Sequence, residues 1–376
     1  MIMRKISNIY FLGIKELWSL IRDPVLLVLI AFTFTVSVYT AATAVPDGLQ
    51  NASIAVVDED RSTLSERIQT AFYPPQFTPP KEITLSEMDH GMDKGAYTFV
   101  MNIPPYFQKD VLGGRYPTLQ LNIDATRMTQ AFTGNMIINQ IINGEVSEYL
   151  QRYRSEALYP VKLVERMRFN PNLTASWFGA LTEIINLITM LSILLTGAAL
   201  IRERERGTVE HLLVMPLTPF EIMLSKIWSM GLVVLIASTL SLTFVVQGVL
   251  SVPVEGSVLL FVCGAALHLF ATTSMGIYLA TLARNMPQFG MLMLLVLIPL
   301  QMLSGGMTAR ESMPELIQTV MLAAPTTHFI ELGKAILFRG AGFEIVWPSF
   351  FYLLIIGSCF FFFAHQRFRS TISQMA

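Results

Sequence analysis

Three places in this sequence gather side chains able to do chemistry. The run "RERERGTVEHLLVMP", Arg202–Pro216, opens with five consecutive charges directly after the apolar stretch "LITMLSILLTGAALI". Glu183 and Asn186 lie three residues apart, inside an otherwise apolar segment. Asp58, Glu59 and Asp60 form an acidic triplet after a short apolar run. A carboxylate cluster suggests a metal, but a metal site needs further ligands at recognisable spacing. His90 stands alone, and the triplet reads as a solvated turn at the end of a strand. No G-x-x-x-x-G-K-[ST] loop, G-x-G-x-x-G or H-E-x-x-H is present. The chain is therefore not expected to bind or hydrolyse ATP, to bind a cofactor or metal, or to act as an enzyme.

Those residues must be positioned by an unusually apolar chain. Of 376 residues, 53% are hydrophobic and 14% charged, against about 25% charged in soluble domains. This is the composition of a membrane protein. A net charge of −1 leaves no basic footprint for a nucleic-acid partner. Cys263 and Cys359 fall inside apolar runs and read as packing residues rather than as a disulfide or metal pair.

A spanning helix needs about 20 mostly apolar residues. Six segments qualify: Val25–Val45, Trp177–Ile201, Ile227–Leu250, Val258–Leu282, Phe289–Leu303 and Ser349–Ala364. Pro299 in the fifth is tolerable where neighbouring helices satisfy the freed carbonyl. Ahead of the first span, Ile6, Ile9, Tyr10, Gly13, Ile14, Leu17, Trp18 and Ile21 recur at helical spacing among charged residues. The pattern predicts an amphipathic helix in the membrane interface over residues 1–23, stopped by Asp23-Pro24. The "ATA" at Ala42–Ala44 resembles a peptidase site, but the run before it is of spanning length and reads as an uncleaved anchor.

Lys and Arg set the direction. Arg4, Lys5, Lys15 and Arg22 precede span one, and Arg202, Arg204, Arg206 and Lys226 lie between spans two and three. Arg284 separates spans four and five, and Arg367 and Arg369 follow span six. All share one face if both termini are cytoplasmic. The short loop "GVLSVPVEGS" on the other face has no Lys or Arg.

Residues 46–176 then form an extracytoplasmic domain large enough for its own core. "SIAVVDED", "YTFVMNIP" and "TLQLNIDA" read as strands. "MTQAFTGNMIINQIINGEVSEYLQRYR" reads as a helix with Phe132, Met136, Asn139, Ile142 and Val146 on one face. The fold class expected is an α-helical polytopic membrane protein with six transmembrane helices and an inserted α+β extracytoplasmic domain. It carries no recognisable catalytic constellation, and gating or partner docking is the role left for it.

With that frame in place, Arg202–Pro216 lies at the cytoplasmic mouth of span two. Gly207 offers a helix end, and Val209, Leu212, Leu213 and Met215 make a short apolar patch beside Glu210 and His211, confined by Pro216 and Pro219. Pattern alone leaves two readings open. One is a charged membrane boundary with an ordinary loop. The other is a confined amphipathic helix that rests on lipid or fits a groove in another protein.

The stretch "RERERGTVEHLLVMPLTPFEIMLSKIW" resembles the signature loop of type-2 ABC exporter permeases. The matching positions are Glu203, Gly207, Thr208, Glu210 and Leu212, then Pro216 and Lys226. The interface helix, the six spans, the long first outer loop and "QMLSGGMTARESMPELIQ" before "PTTHFIELGKAILFRG" fit the same layout over essentially the whole chain. The nearest likeness is to bacterial inner-membrane permeases with a large periplasmic domain.

The resemblance implies export powered by a separate cytoplasmic ABC ATPase, which holds the ATP-Mg. It implies a second permease copy or paralogue as dimer partner and, in this branch, a periplasmic membrane-fusion protein. Residues 202–226 would be the coupling loop, with Glu203, Gly207, Thr208, Glu210, Leu212 and Leu213 addressing the ATPase. Residues 304–347 would be an outer re-entrant hairpin between spans five and six, and 367–376 a cytoplasmic tail. Glu183 and Asn186 either line the outer translocation path or bond a neighbouring helix. Gln247, His268 and Gln301 read as interhelical hydrogen-bonders. The rival readings are a non-transporting scaffold whose outer domain binds a partner and a proton-driven transporter. The second is weakened by the scarcity of charges deep in the spans.

Overall fold

The computed structural model describes residues 2–44, 49–153, 175–205, 217–306 and 310–373. The chain divides into two compact units, 1–45 with 176–376, and 46–175.

Helix α1, Ile2–Ile21, has three faces. Gly13, Glu16 and Leu20 are buried against the bundle. Tyr10, Trp18 and Ile21 are more than half exposed about a third of a turn away, and Lys15 and Arg22 occupy the remainder. An apolar exposed face beside a basic one suits a helix lying in the interface plane. Asp23 then caps α2, Pro24–Thr43: its Oδ1 accepts from Leu26 N at 3.2 Å, with Pro24 in the first turn. A π-helical turn interrupts α2 at Thr33–Ser37.

The inserted domain is a mixed four-stranded sheet in the order β2-β1-β3-β4. Strand β1, Ile54–Asp58, leads through α3, Thr63–Thr70, to β2, Lys81–Glu82. Helix α4, Leu85–Asp93, then leads to β3, Phe99–Ile103. Helix α5, Phe107–Leu112, precedes β4, Gln120–Ile123, and α6, Met128–Tyr153, follows. β1 runs parallel to β2 and β3, and β4 antiparallel to β3. Alternation sends Ile54, Val56, Phe99 and Met101 to one face, where they pack with Leu64, Phe107 and Ile138 from α3, α5 and α6. Ala55, Val57 and Val100 pack on the other face with Met88 from α4.

The face of α6 that carries Phe132, Met136, Asn139, Ile142 and Val146 is not its most buried face. Ile138 and Tyr149 face the core at 0% and 7% exposure, whereas Phe132 and Met136 stand 74% and 62% exposed. Asn139 is exposed, and Ile142 and Val146 are half-buried. The core takes the stripe that meets Phe99 at Gly134, where a Cβ would collide with that ring.

The membrane unit continues with α7, Ala175–Glu205, and α8, Pro219–Val249. Helix α9, Val258–Leu282, and α10, Met286–Leu303, follow. Two short helices, α11 (Glu315–Met321) and α12 (Pro325–Leu337), precede α13, Phe343–Ser373. Among the described residues, six helices are long and apolar enough to cross a membrane. Helix α8 starts eight residues before the expected Ile227, because Thr218 and Glu221 form a capping box and Pro219 sits in the first turn. Its last stretch, Ser241–Val249, is π-helical.

Helix α7 is the axis: 83% of its apolar window is buried, against 22% for α10 and α13. Lipid is as apolar as Leu, so spans associate through close packing and polar contacts. At Gly276 the α9 backbone comes so near α7 that a Cβ would lie 2.7 Å from the Ile193 carbonyl oxygen. Both cysteines are free and exposed on α9 and α13, so they sit on the helix surface and not in the core as the packing reading expected.

Candidate functional site

The charged run closing α7 is consumed by four separate attachments. Arg202 Nη1 donates to Asp23 Oδ2 at 3.2 Å, tying α7 to the cap of α2. Glu203 takes Lys15 Nζ of α1 at 3.2 Å and Lys226 Nζ of α8 at 2.8 Å. Arg204 Nη1 donates to the Ala283 carbonyl at 2.6 Å, after α9. Glu205 Oε1 accepts from Met286 N at 2.9 Å, opening α10.

Lys226 is the hub. Its side chain is 2% exposed and lies 3.1 Å from Glu16 of α1 as well as 2.8 Å from Glu203. An ammonium removed from water is tolerable only with charge compensation, and two carboxylates from two helices supply it. Around this centre α1 is fastened along its length. Asn8 Nδ2 donates to Glu221 Oε1 at 3.1 Å, and Trp228 Nε1 to the Ile9 carbonyl at 3.1 Å. The Trp228 ring lies against Gly13 where any Cβ would collide, and stacks on Tyr10.

Burial holds the Glu16 carboxyl above its ordinary value, the nearby Lys226 only partly offsetting it. Half-burial pulls the Lys15 ammonium down, but the carboxylates of Glu203 and Glu16 outweigh it and hold it up.

Of the residues expected to address an ATPase, Glu203 is therefore spent inside the chain. Gly207, Thr208, Glu210, Leu212 and Leu213 lie outside the described residues. Sequence reading missed Glu16 and Lys226 as partners, since 210 positions separate them. The available signal was a Glu on the apolar side of α1 and a Lys among apolar residues of α8.

Glu183 and Asn186 lie higher on α7, both half-buried. Ser37 Oγ, at the end of the α2 π turn, donates to Glu183 Oε1 at 3.4 Å. Asn186 has no hydrogen-bond partner among the described residues. Further along α7, Thr189 Oγ1 lies 2.8 Å from His268 Nε2, and Ser192 donates to Thr272 at 2.7 Å. The His268 ring stacks on Phe329 of α12 at 4.3 Å. His268 is thus an interhelical hydrogen-bonder, while Gln247 and Gln301 bond no described residue. In the inserted domain, Asp58 is a turn residue. Its Oδ1 accepts from Asp60 N and Arg61 N, and its Oδ2 from Ser65 and Gln69. No trio of metal-ligating side chains gathers among the described residues.

Known proteins resemble this chain in sequence. The chain is 62% identical over 374 residues to the inner membrane transport permease YhhJ of Escherichia coli K12 and to its Shigella flexneri counterpart, covering 100% of each chain. It is 27% identical over 369 residues to a probable multidrug ABC transporter permease, YbhR, of Escherichia coli K12, covering 95% of this chain and 97% of that one. A family model described as ABC-2 family transporter protein matches residues 17–365. Six apolar spans, an inserted α/β domain and a match over nearly the whole length make this chain a member of the ABC-2 family of membrane transport permeases.

Proposed function

We propose that the chain is the permease subunit of an ATP-driven exporter in a bacterial inner membrane, moved by a separate cytoplasmic ABC ATPase. The observation that carries this reading is the lock at Lys226. It joins α1, α7 and α8 at the end where the loop 206–216 leaves and returns. A force applied to that loop reaches all three helices together, because any relative slide separates buried opposite charges. Glu203, Gly207, Thr208, Glu210, Leu212 and Leu213 act on this view in two groups. Glu203 holds the base, and the others meet the ATPase.

Both termini and the loop belong on the cytoplasmic side, since Lys and Arg concentrate there, and the inserted domain projects to the periplasm. The permease works as a dimer with a second copy or paralogue, and its periplasmic side meets a membrane-fusion protein. The short helices α11 and α12 form the outer re-entrant hairpin, with the Glu183–Asn186 face of α7 near the exit path. The relatives' printed functions, transport and probable multidrug transport, support export without fixing the cargo.

The test is purification from detergent with identification of the retained ATPase, comparing wild type with Glu210→Arg plus Leu213→Asp. An ABC ATPase held by wild type and lost by the folded double variant supports coupling through the loop. Retention in both, or none in either, favours a non-transporting scaffold.

A further inference from the structure

One face of α6 is only partly covered by the described residues, and that face is neither plainly polar nor plainly apolar. Ile142, Val146 and Leu150 from α6 meet Phe107 and Val111 of α5 and Leu121 of β4 around a cleft of ≈ 580 Å³. Asn135, Asn139 and Asn143, all exposed, line the same cleft. Four-residue spacing sets these amides about 6 Å apart in a row along one helix face. Asn139 Nδ2 donates to the carbonyl and to Oδ1 of Asn135, at 2.8 and 2.9 Å. That contact orients both amides and leaves Asn139 Oδ1 and Asn135 Nδ2 without a bond among the described residues. Phe132 and Met136, 74% and 62% exposed, extend the apolar part of this face.

We propose that this cleft binds a facial amphiphile: a small, elongated molecule, apolar on one side, with hydroxyl, carbonyl or amide groups spaced along the other. The volume lies in the range of small-molecule sites, which pair an apolar lining with a few placed polar groups. A head-and-tail amphiphile would satisfy the floor but leave the row of amides unmatched. A facial one meets both at once. Arg115 and Tyr116 stand at the rim, where Arg115 pairs with Asp110 at 3.0 Å. This site rests on the inserted domain alone and does not depend on export or on the ATPase.

The probe is labelled deoxycholate, a rigid molecule with its hydroxyls on one face, used below its micellar concentration. Binding is measured to the full chain in lipid nanodiscs, with empty nanodiscs subtracted for partitioning. Saturable binding near one per chain is expected. Asn135→Ala plus Asn143→Ala, two exposed changes that leave the core intact, should weaken it about tenfold. Ile142→Trp should fill the floor and abolish it. Decanoate, polar only at its end, should compete at least about tenfold less well. No saturable component above empty nanodiscs overturns the proposal. So does binding that the asparagine variant leaves unchanged, or equal competition by decanoate.

Discussion

Helix α7 is held by two kinds of polar contact, and they divide by depth. At its charged end, Glu203, Lys226, Glu16 and Lys15 form an ionic lock. Farther in, Thr189, Ser192, His268 and Thr272 make hydroxyl and imidazole contacts to α9. The difference follows from solvent. Charges survive near the interface, where water and headgroups reach part of the cluster and Lys15 stays half exposed. Deeper in, neutral groups join helices without the cost of an uncompensated charge. The ionic end suits a joint that must carry force as one piece. The neutral seam, cheaper to break and remake, suits a surface along which helices can shift.

Substitutions can break or sharpen this contrast. The largest loss is expected from Lys226→Met, which leaves the buried carboxylates of Glu16 and Glu203 only the half-exposed Lys15 between them. Breaking a buried pair costs about 3–5 kcal/mol, seen as a lowered unfolding midpoint in detergent, and Lys226→Arg should recover part of it. Gly276→Ala comes next. Its Cβ would press on the Ile193 carbonyl, and overpacking costs about 1–3 kcal/mol. Thr272→Val removes one interhelical hydrogen bond, worth about 0.6 kcal/mol on average in a membrane. If it costs as much as Lys226→Met, the division by depth is wrong.

The smallest change is expected from Glu16→Gln, and it is a matter of pH. Burial holds this carboxyl above its ordinary value in the folded chain. Stability therefore favours the protonated form and is lost as pH rises through that raised value. Wild type should lose thermal stability relative to Glu16→Gln as pH rises above the ordinary carboxylate range, and the two should converge in acid. A gap that widens in acid would contradict this.

Much of the membrane unit was legible, because hydropathy over 20 residues and a 3.6-residue period are strong signals. All six spans and the amphipathic α1 stand in the sequence. The start of α8 was not, since Glu221 and Lys226 interrupt its apolar run and only the Thr218–Glu221 cap reveals it. In the inserted domain β1, β3 and β4 were readable, while β2, two exposed residues, carries no pattern. Helices α3 and α4 are short and polar, so their only markers are the caps at Ser62 and Thr84. The shared face of α6 was readable, but not which face the core takes, because helical spacing alone does not say what covers a face. Lys226–Glu16 pairing could not be read, since no local rule links residues so far apart.

The central claim is that α1, α7 and α8 move as one piece at their charged ends. Cysteines replacing Asn8 and Glu221, whose long side chains touch at 3.1 Å, can be joined by a short reducible bis-methanethiosulfonate linker that ties α1 to α8, once Cys263 and Cys359 are changed to Ala. The measurement is ATP hydrolysis by the purified permease–ATPase complex, with the pair linked and then reduced. If the piece moves as a unit, linking leaves hydrolysis within about twofold of the reduced complex. If cross-linking stops hydrolysis and reduction restores it, α1 slides on α8 in each cycle, and the lock at Lys226 is not the joint described here.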